Sequence, residues 1–174
     1  MILKYTPKKN KKGSLVSLAL TLLGGAGLVF SVTAELESAL YVQLISLFLF
    51  VLGFEFLYRY EMTNFVYILD EKDFVIIKEV GKKKTCVCNL SMRTALSIHP
   101  TPKRKKDKKS LEKTYGRTEI RYNHTQAMCS KQKYSILFSF NDKVAEIIFE
   151  PSEQMVSAIQ KRIAENEDID FVFD

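Results

Sequence analysis

Hydrophobic and polar positions divide this 174-residue chain into two regions with different periodicities. Residues 14–33 read SLVSLALTLLGGAGLVFSVT and residues 40–58 read LYVQLISLFLFVLGFEFLY. Neither run has the polar face that a helix on the surface of a soluble protein keeps. Each is close to the roughly 20 residues that cross a hydrocarbon core as a helix. Only AELESA separates them, so the pattern predicts a tight antiparallel hairpin. From residue 62 onward the period shortens. Runs at 62–70, 74–80, 85–90, 95–99, 118–123, 134–140 and 143–150 read as strands, most clearly 134–140, where Tyr134, Ile136, Phe138 and Phe140 alternate with Ser135 and Ser139. A helix follows. Pro151 suits its first turn, Glu153 complements its positive end, and Val156, Ile159 and Ile163 make one apolar stripe. The tail DIDFVFD is expected to dock as an extended edge.

The chain therefore reads as a basic N-terminal segment (1–13), a helical hairpin (14–60) and an α+β domain (61–174). Seven antiparallel strands and one C-terminal helix, after two membrane helices, resemble the pleckstrin-homology (PH) superfold. The likeness extends to bacterial membrane proteins that carry a PH-like domain after a two-helix anchor. It covers residues 62–166 by element order and 14–60 by the hairpin. It implies a seven-stranded open barrel capped by the last helix, and a binding module rather than an enzyme. Relatives of that fold often bind phosphoinositides through basic residues flanking the first hairpin. Here the first turn is EKD, with two acids, which argues against that pocket.

Charge adds an orientation. Lys4, Lys8, Lys9, Lys11 and Lys12 precede the first apolar run and Arg59 follows the second, whereas the connector holds Glu35 and Glu37 and no basic residue. The positive-inside rule then places both termini in the cytoplasm of a multi-pass membrane protein. A basic start, an apolar run and Val32–Ala34 also resemble a cleavable signal peptide, but such an apolar region is typically about 7–15 residues and is not followed by a second span. Phe54, Phe56, Tyr58 and Tyr60 fit an interfacial aromatic belt. Ser17, Thr21 and Gly25 form a small-residue stripe that serves either the hairpin's own packing or oligomerisation. Arg59, four residues after Glu55, is placed to pair with it.

The net charge is +6, and the stretch PKRKKDKKSLEK (102–113) alone carries seven basic side chains against two acids. Its core, residues 103–109, contains no apolar residue, so it reads as a solvated loop. Antiparallel strands joined by short turns alternate ends, which would put this loop and the Gly81–Lys84 turn at the membrane-proximal end of the barrel. The residues expected to contact anionic inner-leaflet lipid are Lys82, Lys83, Lys84, Lys103, Arg104, Lys105, Lys106, Lys108 and Lys109. Nucleic acid is disfavoured, since the run lacks base-stacking aromatics and a recognition motif. The alternative role is a structural or regulatory subunit with a membrane-protein partner.

Catalytic chemistry has little to stand on. Cys86, Cys88 and Cys129 are odd in number, which suits a reducing compartment. Cys86 and Cys88, two apart on a strand, are expected on one face, and with His99 or His124 they make only a weak case for a metal or a thiol nucleophile. No cofactor motif is present, and no metal, catalytic residue or cofactor is expected.

Overall fold

The computed structural model describes residues 2–9, 11–33, 39–102, 104–127, 132–141 and 143–170. It resolves into two units, one made of the N-terminal residues up to Pro7 with most of the chain after Phe65, the other built chiefly on Lys8–Asn64.

The second unit is the hairpin. Helix α1 spans Lys11–Thr33 and α2 spans Ala39–Leu57, and α2 continues into a π-helical turn, Tyr58–Met62. Both are long and apolar enough to cross a membrane. Both are mostly exposed: only 17% of the most apolar stretch of α1 and 11% of that of α2 is buried. The residues that are buried are small: Gly13, Ser17, Gly24 and Ser31 on α1, Ser46 and Gly53 on α2. A Cβ on Gly24 would run into the Phe50 backbone, and one on Gly53 into Thr21, so the helices touch backbone to backbone. The hydroxyls at this contact are satisfied within their own helix: Ser17 donates to the Ser14 carbonyl and Thr21 to that of Ser17, both at 2.8 Å. Ser17 and Thr21 thus lie at the contact within the hairpin, whereas a Cβ on Gly25 would meet the Phe50 ring only at ordinary contact distance. Arg59 does not pair with Glu55; its guanidinium lies over the Tyr60 ring, 5.8 Å from the centroid. The connecting residues Glu35 and Glu37 lie outside the described residues.

The other unit is a pair of four-stranded sheets, ordered β1-β2-β3-β4 and β5-β7-β8-β6, with no closed barrel. The strands are β1 (Leu3–Tyr5), β2 (Thr63–Leu69), β3 (Asp73–Val80), β4 (Lys83–Ser91), β5 (Ala95–Pro100), β6 (Thr118–Asn123), β7 (Tyr134–Phe140) and β8 (Lys143–Phe149). Two sheets of four strands thus stand where a seven-stranded open barrel was expected, and three features of the strands and their connections also depart from the sequence reading. The first is β1: the residues read as a basic tail pair antiparallel with β2, Tyr5 opposite Tyr67 and Leu3 opposite Leu69. The chain therefore enters the first sheet before the hairpin and returns to it afterwards. The second is that β6 pairs with β8 in parallel, not antiparallel. The third is helix α3, Lys105–Tyr115, where a loop was expected.

The core lies between the sheets. Phe149 of β8 meets Phe74 of β3 at 5.0 Å and Tyr67 of β2 at 5.4 Å between ring centroids. The buried Tyr67 hydroxyl donates to the His124 carbonyl at 2.7 Å and accepts from the Glu150 amide at 3.3 Å, and its pKa is raised by burial. Helix α4 (Glu153–Asp170) packs Met155, Val156, Ile159 and Ile163 into this core. Ser152 caps it, its hydroxyl accepting the Met155 amide at 3.3 Å. Asp168–Asp170 continue this helix instead of forming an extended edge, and residues 171–174 lie outside the described residues.

Candidate functional site: the basic helix and the open side of the sheets

The stretch 102–113 folds because it has an inner face that composition hides. On α3, Lys108, Leu111, Glu112 and Tyr115 fall on one side at helical spacing. Lys108, Leu111 and Glu112 line a narrow crevice against His99, Leu137, Arg121 and Glu146 on the outer face of the second sheet. Lys108 and Glu112 are themselves paired at 3.5 Å. Asp107 in the first turn and Lys113 in the last complement the helix dipole. Gly116, at φ +92°, ends the helix, its amide donating to the Glu112 carbonyl at 3.1 Å. The opposite side carries Lys106, Lys109 and Lys113 at i, i+3 and i+7, all exposed. The feature is thus a basic stripe on an ordered amphipathic helix.

Beneath α3 the sheet is polar. The Glu146 carboxylate is buried, accepts from Arg121 Nε at 2.6 Å and from the Ser135 hydroxyl at 2.7 Å, and so keeps its charge compensated. The Nδ1 atom of His99 is buried without a hydrogen-bond partner among the described residues. Burial pushes the His99 pKa below its ordinary value, against the opposing pull of Glu146.

The nine residues expected to meet lipid separate into two groups. Lys82, Lys83 and Lys84 are exposed at the turn from β3 to β4, where Gly81 adopts φ +58°, and Lys84 pairs with Glu79 at 3.0 Å. Arg104 is the extended N-cap of α3, Lys105 opens the helix, Lys106 and Lys109 are on its outer side, and Lys108 turns toward the sheet. Lys103 lies outside the described residues. The end-alternation argument fails here. β5 is antiparallel to β7, β7 to β8, and β6 parallel to β8, so β5 and β6 run the same way. The connection must traverse the sheet from one end to the other. An 11-residue helix does so, covering roughly 16 Å at 1.5 Å per residue.

A family model for a bacterial PH-like domain (DUF6106) matches residues 5–166, from the end of β1 into the last turns of α4. The chain belongs to the DUF6106 family. The match runs through the hairpin as well as the sheets. No curated protein matches the sequence.

In this DUF6106 chain the two sheets part on one side, between the free edges of β4 and β6. The opening leads into a cavity of about 360 Å³ lined by Val87, Cys88, Leu90, Ile120, Tyr122 and His124 among others. His124 stacks on Tyr122 with their planes 5° apart, and its pKa is lowered by burial, with the Lys78 charge adding to the effect. Cys86 and Cys88 do not share a face. A bulge at Val87 places Ile76 opposite Cys88 and Ile77 opposite Cys86, so Cys86 is exposed while Cys88 turns to the cavity. Burial raises the Cys88 thiol pKa to about 11. Cys129 lies outside the described residues. The cavity was missed because no motif announces it: it is a gap between edges that are distant in sequence. The crossover helix did leave a signal. Leu137 and Ile148 are apolar but out of phase with the inward residues of β7 and β8, which calls for a second covering layer.

Proposed function

We propose that this PH-like chain is a membrane-anchored, non-catalytic binding module whose α3 stripe engages anionic lipid headgroups. The observation that carries the reading is β1. Because Leu3–Tyr5 are hydrogen-bonded neighbours of Tyr67–Leu69, the segments before α1 and after α2 belong to one sheet. Two helices that cross a bilayer between them must then begin and end on the same side. Basic residues flank the hairpin on that side and are absent from its connector, which supports a cytoplasmic location for both termini.

The inner leaflet is negative, and each Lys or Arg close to it contributes about 1 kcal/mol, decaying within a Debye length of about 8–10 Å. Lys106, Lys109 and Lys113 present charge from a rigid element, so less freedom is lost on contact than a floppy loop would lose. Lys82 and Lys83 form a separate patch that adds to the same attraction.

The test uses the full chain in nanodiscs, with native cysteines changed to Ser and a donor dye on Ser110→Cys of α3. Energy transfer to acceptor-labelled headgroups should rise when phosphatidylglycerol replaces phosphatidylcholine and should fall with added salt. Changing Lys106, Lys109 and Lys113 to Gln should remove the rise, and Lys72→Gln should leave it unchanged. Transfer that ignores lipid charge would exclude the reading.

A further inference from the structure

The cavity between β4 and β6 has a character opposite to that of the rest of the domain's surface. Charged residues make up 26% of the chain, yet among the described residues no Asp, Glu, Lys or Arg lines this cavity. Its polar groups are the neutral Asn89, Ser91, Thr94 and Ser139, with His124, whose depressed pKa keeps it uncharged near neutrality. The volume, about 360 Å³, falls in the roughly 300–1,000 Å³ range of small-ligand sites. Among the described residues of the two-sheet unit, the large apolar side chains left exposed are Ile2, Tyr122 and Phe140, and the last two stand at this opening. Apolar surface left uncovered at the mouth of an uncharged cavity marks a binding site.

We propose that this cleft binds a single uncharged hydrocarbon chain, laid between the free edges of β4 and β6 with its polar end at the mouth. Neutral walls disfavour a charged ligand, since among the described lining residues none carries a fixed charge to pair with a buried ion. The basic stripe of α3 lies outside this cavity. Headgroup attraction and chain binding are therefore separate functions, and either can fail without the other.

Cys88 reports occupancy directly, and Cys86, two residues earlier but exposed, is its internal control. Two forms of the full chain in nanodiscs each keep one of these thiols, the other and Cys129 being changed to Ser. Alkylation by N-ethylmaleimide is followed while dodecanol is added. Cys88 should be protected saturably, about tenfold at ten times the half-protecting concentration, and Cys86 should not. Ala145→Leu, which fills the cavity, should abolish protection. Tyr122→Ser with Phe140→Ser, both at exposed positions, should weaken it without affecting folding. In a second arm, nanodisc lipids carry a diazirine in the acyl chain. Crosslinks to β4 assign the site to a bilayer lipid, whereas protection by dodecanol alone assigns it to a free chain. Equal protection of both thiols, none at either, or protection unchanged in the variants would overturn the proposal.

Discussion

The hairpin and the two-sheet domain are inside-out versions of one another. In the hairpin, Leu15, Leu22, Leu23, Phe30, Leu44 and Phe48 point outward, while serine and glycine occupy the contact between helices. In the domain, Phe74, Ile76, Ile136, Phe149 and Ile159 are fully buried and charge covers the outside. On the proposed membrane-anchored reading, one chain follows both rules because each region is matched to its solvent. Apolar burial drives folding where the surroundings are water. Where they are lipid, burying Leu against Leu gains little, and close backbone approach takes over. The comparison predicts that the two regions respond to opposite kinds of substitution.

The largest effect belongs to the domain. Ile159→Asp puts a charge on the stripe with which α4 closes the core. The cost is several kcal/mol against a typical total of about 5–15. Thermal unfolding of the full chain in detergent should lose the domain transition or shift it far down, with the hairpin's helical signal retained. An unchanged transition would mean that α4 does not complete the core.

Next comes the reverse experiment. Gly53→Leu adds apolar bulk, which would be harmless on the exposed side of α2 but meets the Thr21 backbone here. Overpacking of this kind costs about 1–3 kcal/mol. Spin labels on α1 and α2 should move apart, and the domain transition should stay in place. Leu44→Ala, on the exposed side of α2, should alter neither. Helices that keep their spacing in Gly53→Leu would remove the backbone-contact account.

The smallest effect sharpens the domain side alone. His99 and His124 have native pKa values below the unfolded value, chiefly through burial. Above about pH 6.5 both states are neutral and the groups have no influence on stability. As pH falls through that value toward the native pKa, the unfolded chain takes up protons first and the fold loses stability. The melting temperature should therefore drop between about pH 7.5 and about pH 5.5. Replacing both histidines with Gln should flatten that slope. A slope unchanged by the replacement would assign the dependence to other groups.

What the sequence revealed, and what it did not, follows the same division. The hairpin was legible to within a few residues because two unbroken apolar runs are a local pattern. Most strands were legible too, from Tyr134–Phe140 most plainly, since alternation is local. Pairing is not local. Nothing near Thr118 says that its strand will run parallel to β8, and nothing near Leu3 says that three residues will find β2 some sixty positions later. Helix α3 was hidden for a different reason. Its charged residues dominate the composition, and its inner face rests on Leu111, Tyr115 and the stems of charged side chains. Of the candidate sites, the charge was visible and its ordered display was not, while the cavity between β4 and β6 exists only once the sheets are assembled.

The pairing of β1 with β2 also sets an order of events during synthesis. Leu3–Tyr5 are made before the hairpin, and their partner emerges only after both apolar helices have been made. Closing that loop of roughly sixty residues costs entropy that a neighbouring hairpin does not incur. Residues made before the hairpin are thus seated only after it, and until then their edge is unsatisfied. Their amides should exchange with solvent before those of β3, and a nascent chain halted before Tyr67 should leave them open to protease.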